Sequence, residues 1–510
     1  MRQLAKVADN IVALLVRQVL TWSLTAILMI FFLPRLLGDE GLGKITFAIA
    51  LITMLLVATN LGTVTFTVKQ VALDRRRLSD LLWSAYAIRL TMGLLIGGAV
   101  VLIVQLSSLD GDSKGVLTVA SVILVVWGLD WAQIAALQGL ENMRWIALAE
   151  VANKTTLMIV GIAVLVTGHG VVAFALAMLV GYLVGFLVNL SYLARRQLQR
   201  PSLSLAAVRH LLVGGFPYLM TGAILQFYIW SDTVILRFLT RDAVVGWYGA
   251  ASQLFKTMNF IPLVIVTAML PALTRFHVED KETMRVAVEK GMLAILTTAV
   301  PVAAACTLLS GDLIEFLRYP PEFQNSIPLL SILALTLPVT GSLMLIGTVV
   351  IAADRQKEWA ITVAVTTVVM MLMTVPLVLY FDRAHGNGAI GVAVSAVLSE
   401  ALMMALGIRL VPRGVIGRPV LIALVRTVAA SLAMLAAMGA AKLLFDPGFL
   451  PLFLLGASVF FFALLAVRGV TVGELKFLLG SALSRGRAGE EPPPLEGGAA
   501  LRPGLEREGV

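Results

Sequence analysis

Six of the ionisable side chains inside long apolar stretches of this sequence could do chemistry: Arg17, Asp130, Glu150, Lys154, Asp232 and Lys256. A charge there is costly and is usually kept because it faces a partner or a watery cavity. Asp130 and Lys154 lie about a dozen residues either side of a short turn near Asn142, so they reach similar depth on consecutive antiparallel helices and are expected to pair. Glu150, four residues before Lys154 on the same helix face, makes a three-membered network. Such a network is either a structural bridge or a coupling-ion site. Lys256 lies about twelve residues, roughly 18 Å, inside its segment. It therefore calls for a carboxylate or a water-filled cavity, and Asp232 on the preceding segment is the nearest candidate in sequence. Glu400 and Arg426 read as a structural pair across the next-to-last inward loop. Arg17 and Arg89 sit about two turns from their segment ends, within snorkelling reach of the headgroups, and snorkelling is the preferred reading for Arg89.

Other motifs imitate chemistry without its context. Gly38-Asp39-Glu40-Gly41-Leu42-Gly43-Lys44 matches most of a phosphate-binding loop, but Ile45 stands where a Ser or Thr would hold Mg²⁺. It also joins two apolar helices instead of following a buried strand. Asp110-Gly111-Asp112 resembles a metal-binding acidic pair, in a loop too short to carry a nucleotide domain. His169, His210, His277 and His385 fall in loops or at helix ends, and the single cysteine, Cys306, lies in an apolar run. Neither a metal site nor a disulfide framework follows. No nucleophile is assembled with a base, so the expectation is a protein without catalytic site, cofactor or metal.

The elements that must position the six charges are membrane helices. Of 510 residues, 59% are hydrophobic and 14% charged, against about 25% charged in soluble proteins. Stretches of about 20 apolar residues, enough to span about 30 Å of hydrocarbon, occur at about 11–34, 44–66, 82–105, 116–138, 146–167, 171–193, 211–238, 244–271, 288–309, 327–352, 359–381, 388–410, 419–444 and 450–468. The ninth and tenth are the most open to bending, through Pro301, Pro328 and Pro338. The first is longer than a signal-peptide core and lacks a small-residue cleavage site, so it is expected to stay as a helix. Fourteen spans with the N-terminus inside put 20 Lys and Arg residues on inward segments and 8 on outward ones. Both termini are then cytoplasmic. The net charge of +9 is explained by this topology, and nucleic acid is not an expected partner.

The two halves echo each other in parallel. Leu33-Pro34-Arg35-Leu36-Leu37 with Gly43 matches Ile235-Leu236-Arg237-Phe238-Leu239 with Gly246, and the loop around Glu141-Asn142-Met143-Arg144-Trp145 matches that around Arg355-Gln356-Lys357-Glu358-Trp359. Six helices per half place the halves around an axis along the membrane normal, with a site at their interface. The expected divisions are a six-helix lobe at 1–210, a second at 211–412, helices 13 and 14 at 413–483, and a disordered cytoplasmic tail at 484–510, where apolar residues are too few to offset ordering entropy.

The sequence resembles the oligosaccharide flippases of the polysaccharide transporter family, the Wzx-type O-antigen translocases of the MOP exporter superfamily. The carriers are Leu33-Pro34-Arg35-Leu36-Leu37-Gly38 with Gly41 and Gly43, Leu137-Gln138-Gly139-Leu140-Glu141-Asn142-Met143, Asp232, Gly246-Trp247-Tyr248-Gly249-Ala250-Ala251, Pro262, Pro271 and Gly388-Ala389-Ile390-Gly391-Val392-Ala393. The resemblance implies an all-α membrane fold of two six-helix lobes plus two C-terminal helices in the inner membrane. It implies alternating-access transfer of a polyprenyl-diphosphate-linked oligosaccharide to the outer leaflet, driven by an ion gradient or membrane potential, for O-antigen, capsule or exopolysaccharide synthesis. A polysaccharide polymerase and a chain-length regulator are the implied protein partners. It makes Arg17 and Lys256 the cations that attract the diphosphate, with Asp232 tuning Lys256. The alternatives are a peptidoglycan-precursor flippase and a multidrug exporter of the same superfamily. Fourteen helices argue against the multidrug exporter, which usually has twelve.

Overall fold

The computed structural model describes residues 17–196, 204–411 and 417–467; the expected tail lies outside them. Every element among the described residues is a helix, as lipid requires, because each backbone N–H and C=O must be satisfied within its own segment.

The first helical run, Arg17–Asn60, has 44 residues, about 66 Å if straight and about twice the hydrocarbon thickness. It is not straight. After a π-helical turn at Ile27–Phe32, Gly38 takes φ 67° and ψ −173°, a conformation that a Cβ would strain. This break divides the run into α1 (17–37) and α2 (39–60). There follow α3 (Thr63–Leu73), α4 (Leu78–Leu106), α5 (Gly111–Gly139), α6 (Met143–Val166), α7 (Gly170–Arg196), α8 (Leu205–Leu239), α9 (Asp242–Met258) and α10 (Phe260–Glu279). The remaining helices are α11 (Lys281–Phe316), α12 (Ile327–Ala352), α13 (Gln356–His385), α14 (Ala389–Leu410), α15 (Arg418–Phe445) and α16 (Phe449–Ala466). Twelve runs among the described residues are long and apolar enough to cross a membrane, and the bent pair α9–α10 makes thirteen. Dividing the first run at Gly38 brings the count to fourteen.

Three spans depart from expectation, in two opposite senses. α11 and α12 continue through Pro301 and Pro338, whereas the eighth span is broken, α9 meeting α10 at 45°. Pro262 has no N–H to offer the carbonyl of Met258. Asn259, at the break, turns its side-chain amide back to the Phe255 carbonyl at 3.1 Å.

The connections gather at two ends of the bundle. At the Gly38 end, Lys44 binds Asp110, Arg35 Nε donates to the Leu317 carbonyl at 2.6 Å, and Asn387 donates to the Asn325 carbonyl at 2.9 Å. At the other end Arg75 pairs with Glu141, and Arg355 donates to the Leu410 carbonyl. The apolar core follows the same division. At the Gly38 end one buried cluster joins both halves, with Leu42, Ile45 and Leu117 packed alongside Val245, Ala251 and Leu330. At the other end the core splits in two, one cluster around Leu82, Ala136 and Leu193, the other around Ile295, Leu345 and Val349. The apolar core is thus continuous between the halves at the Gly38 end and divided at the other, where the start of α8 crosses to α2 and α3, a Cβ on Gly62 standing 2.1 Å from the Gly215 carbonyl oxygen. Helices α15 and α16 pack on each other and on α11.

Arg89 does not snorkel. It is fully buried, and its guanidinium donates to the Gly128 carbonyl at 2.9 Å and to Thr63 Oγ1 at 3.1 Å, tying α4 to α5 and to the start of α3. Two acceptors lying in different directions suit a forked donor better than a single ammonium. Arg89→Lys is therefore expected to lose one of these bonds, worth roughly 1.5–3 kcal/mol for a charged donor. The thermal midpoint of the purified protein should fall by several degrees; an unchanged midpoint would remove Arg89 from the framework.

Candidate functional site

Two glycines set how closely the halves approach at the Gly38 end. A Cβ on Gly43 of α2 would stand 1.9 Å from the Asp242 carbonyl oxygen, and one on Gly246 of α9 would stand 1.9 Å from the Asp39 carbonyl oxygen. These glycines are the equivalent positions of the internal repeat, so the contact is reciprocal. Around it the Trp247 indole N–H donates to Asp39 Oδ2 at 2.9 Å, Arg237 pairs with Asp242, and the Ser326 hydroxyl donates to the Trp247 carbonyl. Partial burial disfavours charge on Asp110, but hydrogen bonds from Lys44 and Ser113 outweigh it and hold the carboxyl below the usual carboxylate range.

Beneath this closure, at mid-span, α1, α6 and α9 border a cavity of about 280 Å³ lined by Trp22, Glu150, Lys154, Gln253 and Lys256 among others. A second cavity of about 360 Å³ lies within the first half and is lined by residues including Arg17, Asp130, Glu150 and Lys154. Glu150 and Lys154 wall both, which makes the two spaces neighbours. Lys256 is exposed although it lies in mid-span, two residues before the end of α9; its surface faces the cavity. Its Nζ stands 4.5 Å from the Trp230 ring centroid. Both the ring face and the C-terminal end of α9 favour a cation there.

Charge bookkeeping around these spaces leaves cations in excess. Arg17 Nη1 lies 2.7 Å from Glu150 Oε2, so these two neutralise each other. Asp130 accepts from Asn189 Nδ2 at 2.9 Å. Lys154 has no hydrogen bond or ion pair to any described residue, and Lys256 has no ion pair among them. Two lysines from opposite halves thus face one cavity, an arrangement suited to holding an anion. No three His, Cys, Asp or Glu side chains among the described residues converge to hold a metal.

The structure brings Arg17, Glu150, Lys154 and Lys256 together but rearranges the expected pairs. Asp130 and Lys154 share a cavity without pairing, because α7 packs closely on both α5 and α6 while those two touch little. Asn189 of α7 accordingly takes the carboxylate. Asp232 is engaged by the Tyr248 hydroxyl and by Thr233, whose backbone N–H and hydroxyl both donate to it. It makes no ion pair with Lys256. Glu400 accepts from Thr340 at 2.7 Å instead of pairing with Arg426, since Arg426 sits on α15, which packs on α11.

Sequence reasoning missed Trp22, Trp230, Gln253, Asn153 and Asn189, neutral side chains that carry no charge signal in an apolar run. Helical spacing offered one clue: Gln253 and Thr257 flank Lys256 on the same turn of α9.

Comparison with known proteins agrees with this architecture. A relative from Escherichia coli K12 named "Putative O-antigen transporter" is 20% identical over 388 residues, covering 74% of this chain and 89% of that protein. "Probable flippase AglR" of Haloferax volcanii is 24% identical over 196 residues, covering 37% of this chain and 39% of that protein. Among solved structures, "Lipid II flippase MurJ, inward closed conformation" superposes with a TM-score of 0.70 at 15% identity, covering 89% of this chain and 98% of that one. An inward-facing multidrug resistance MATE family transporter of the MOP superfamily gives 0.62 at 15% identity, covering 79% and 98%. These likenesses establish the fold. The family described as "Polysaccharide biosynthesis protein" matches residues 7–277, more than half of the sequence, and the chain therefore belongs to the polysaccharide biosynthesis protein family, with a fold similar to that of these solved structures.

Proposed function

We propose that the chain flips a polyprenyl-diphosphate-linked oligosaccharide from the inner to the outer leaflet of the cell membrane by alternating access, for surface polysaccharide synthesis alongside a polymerase and a chain-length regulator. The observation that carries this reading is the pair of lysines, Lys154 and Lys256, facing one mid-span cavity from opposite halves. A diphosphate moving there loses hydration, and fixed cations in low dielectric lower its barrier more than they do in water. Its isoprenoid tail can stay in lipid. The lobes are taken as 1–210 and 211–412, with 413–483 as an appended helix pair. The divided end is taken as cytoplasmic, so the carrier enters from the leaflet on which it is made.

The direct test is binding of sugar-free polyprenyl diphosphate to the purified chain in nanodiscs. Lys154→Gln and Lys256→Gln should each weaken it about tenfold, the size of one charged hydrogen bond. Wild-type affinity in both variants would sink the proposal. Orientation is tested separately: reporter fusions at Asp112, Gly168 and His385 should read outside, and those at Arg76, Arg196 and Glu279 inside. Two or more reversed reporters would overturn the topology.

A further inference from the structure

We propose that the cavity inside the first half, next to the lysine pair, is a subsite for an uncharged pyranose ring. Its walls combine two features that the anion site does not need. One is aromatic: Trp127 and Tyr182 stand with ring centroids 5.0 Å apart, and Trp131 lies one helical turn from Trp127. The C–H face of a pyranose packs against such rings. The other is a set of buried polar atoms without partners. Asn153 and Asn189 are 8% and 1% exposed, both line the cavity, and the Oδ1 atom of each accepts no hydrogen bond. The Trp131 indole N–H is likewise unpartnered.

Buried polar groups in folded proteins are normally satisfied, so three unpartnered atoms on residues that wall one space point to a guest that supplies the missing partners. The guest must donate to two amide oxygens and accept from an indole N–H. Vicinal hydroxyls do both. A purely apolar guest would leave all three atoms unsatisfied, and a phosphate would bring only acceptors to Asn153 Oδ1 and Asn189 Oδ1, while Arg17 and Lys154 are matched in the same wall by Glu150 and Asp130 and leave it no net positive charge. The fold holds Asn153 in place for this. Gly181 and Gly185 of α7 present no side chain beneath it, and a Cβ at either would lie 3.2 Å from an Asn153 side-chain atom. Asn153 makes no side-chain hydrogen bond to any described residue, so a framework role would give it nothing to hold.

The inference deepens the flippase reading by giving the glycan a place beside the diphosphate, but it is tested without the lipid. Methyl glucopyranoside, methyl galactopyranoside, N-acetylglucosamine and glucuronate are titrated into the full chain in nanodiscs, and tryptophan emission is recorded. At least one neutral pyranose should give a saturable change that glucuronate does not. Asn153→Leu and Asn189→Leu should weaken it about tenfold or more while both variants still bind sugar-free polyprenyl diphosphate, which shows that they are folded. The proposal is overturned if no neutral pyranose saturates, as for a cavity that holds only water, if glucuronate is preferred, or if both variants keep wild-type sugar affinity. Sugar binding without diphosphate binding would instead remove the flippase reading and leave the subsite standing.

Discussion

A chain carrying both Lys154→Gln and Lys256→Gln is expected to reach the membrane in near wild-type amount and to lose surface glycan display about a hundredfold. The two lysines approach one cavity from different halves, and neither is neutralised by an ion pair among the described residues. Neither lysine holds a carboxylate in an ion pair among the described residues, so the loss is expected to fall on the guest more than on the fold. Lys256→Arg should retain part of the display, because charge persists over Trp230 while geometry changes. Arg17 behaves differently because it is already bound to Glu150. Arg17→Gln leaves that carboxylate unpaired beside Lys154, so its defect should be largely rescued by Glu150→Gln. Glycan labelling normalised to membrane abundance reads all four variants. Full display in the double lysine variant would return both residues to structural roles.

The repeat and the charges made much of this legible in sequence. Gly43 and Gly246 stood at corresponding places in two echoing segments, and the structure turns that correspondence into a reciprocal backbone contact. Depth along a helix was also readable: Asp130, Glu150, Lys154 and Lys256 do lie near a common level. Rotation about the helix axis and the choice of neighbour were not. Nothing in the spacing around Asn142 reveals that α7 packs closely on both α5 and α6, yet this is what gives Asp130 to Asn189 and leaves Lys154 to the cavity. Arg89 failed for a related reason. Reach to the headgroups is a property of one helix, whereas burial against Gly128 and Thr63 depends on two others. Pro262 was visible, but a proline in an apolar run does not say whether the helix breaks, as at Met258, or carries on, as at Pro301.

The reciprocal glycine contact yields the other large effect: Gly43→Ala and Gly246→Ala should each force open the Gly38 end of the bundle. A Cβ 1.9 Å from a carbonyl oxygen cannot be accommodated by rotating a side chain, because the obstacle is backbone on both sides. Relief requires the halves to separate there by roughly 1 Å or more to restore van der Waals contact, and packed interfaces of this kind switch between arrangements instead of deforming smoothly. Thr46 reports the change, since its side chain packs on Gly249 across the same interface. In a Cys306→Ala background, a Thr46→Cys thiol should react slowly with a membrane-impermeant reagent added outside. Adding either glycine substitution should raise that rate at least tenfold and lower glycan display, because the inward-loading state needs the outer end shut. The two substitutions should act alike, being equivalent positions of one repeat. Unchanged labelling in both would show that the halves do not part at this contact, and a rise in only one would break the proposed equivalence.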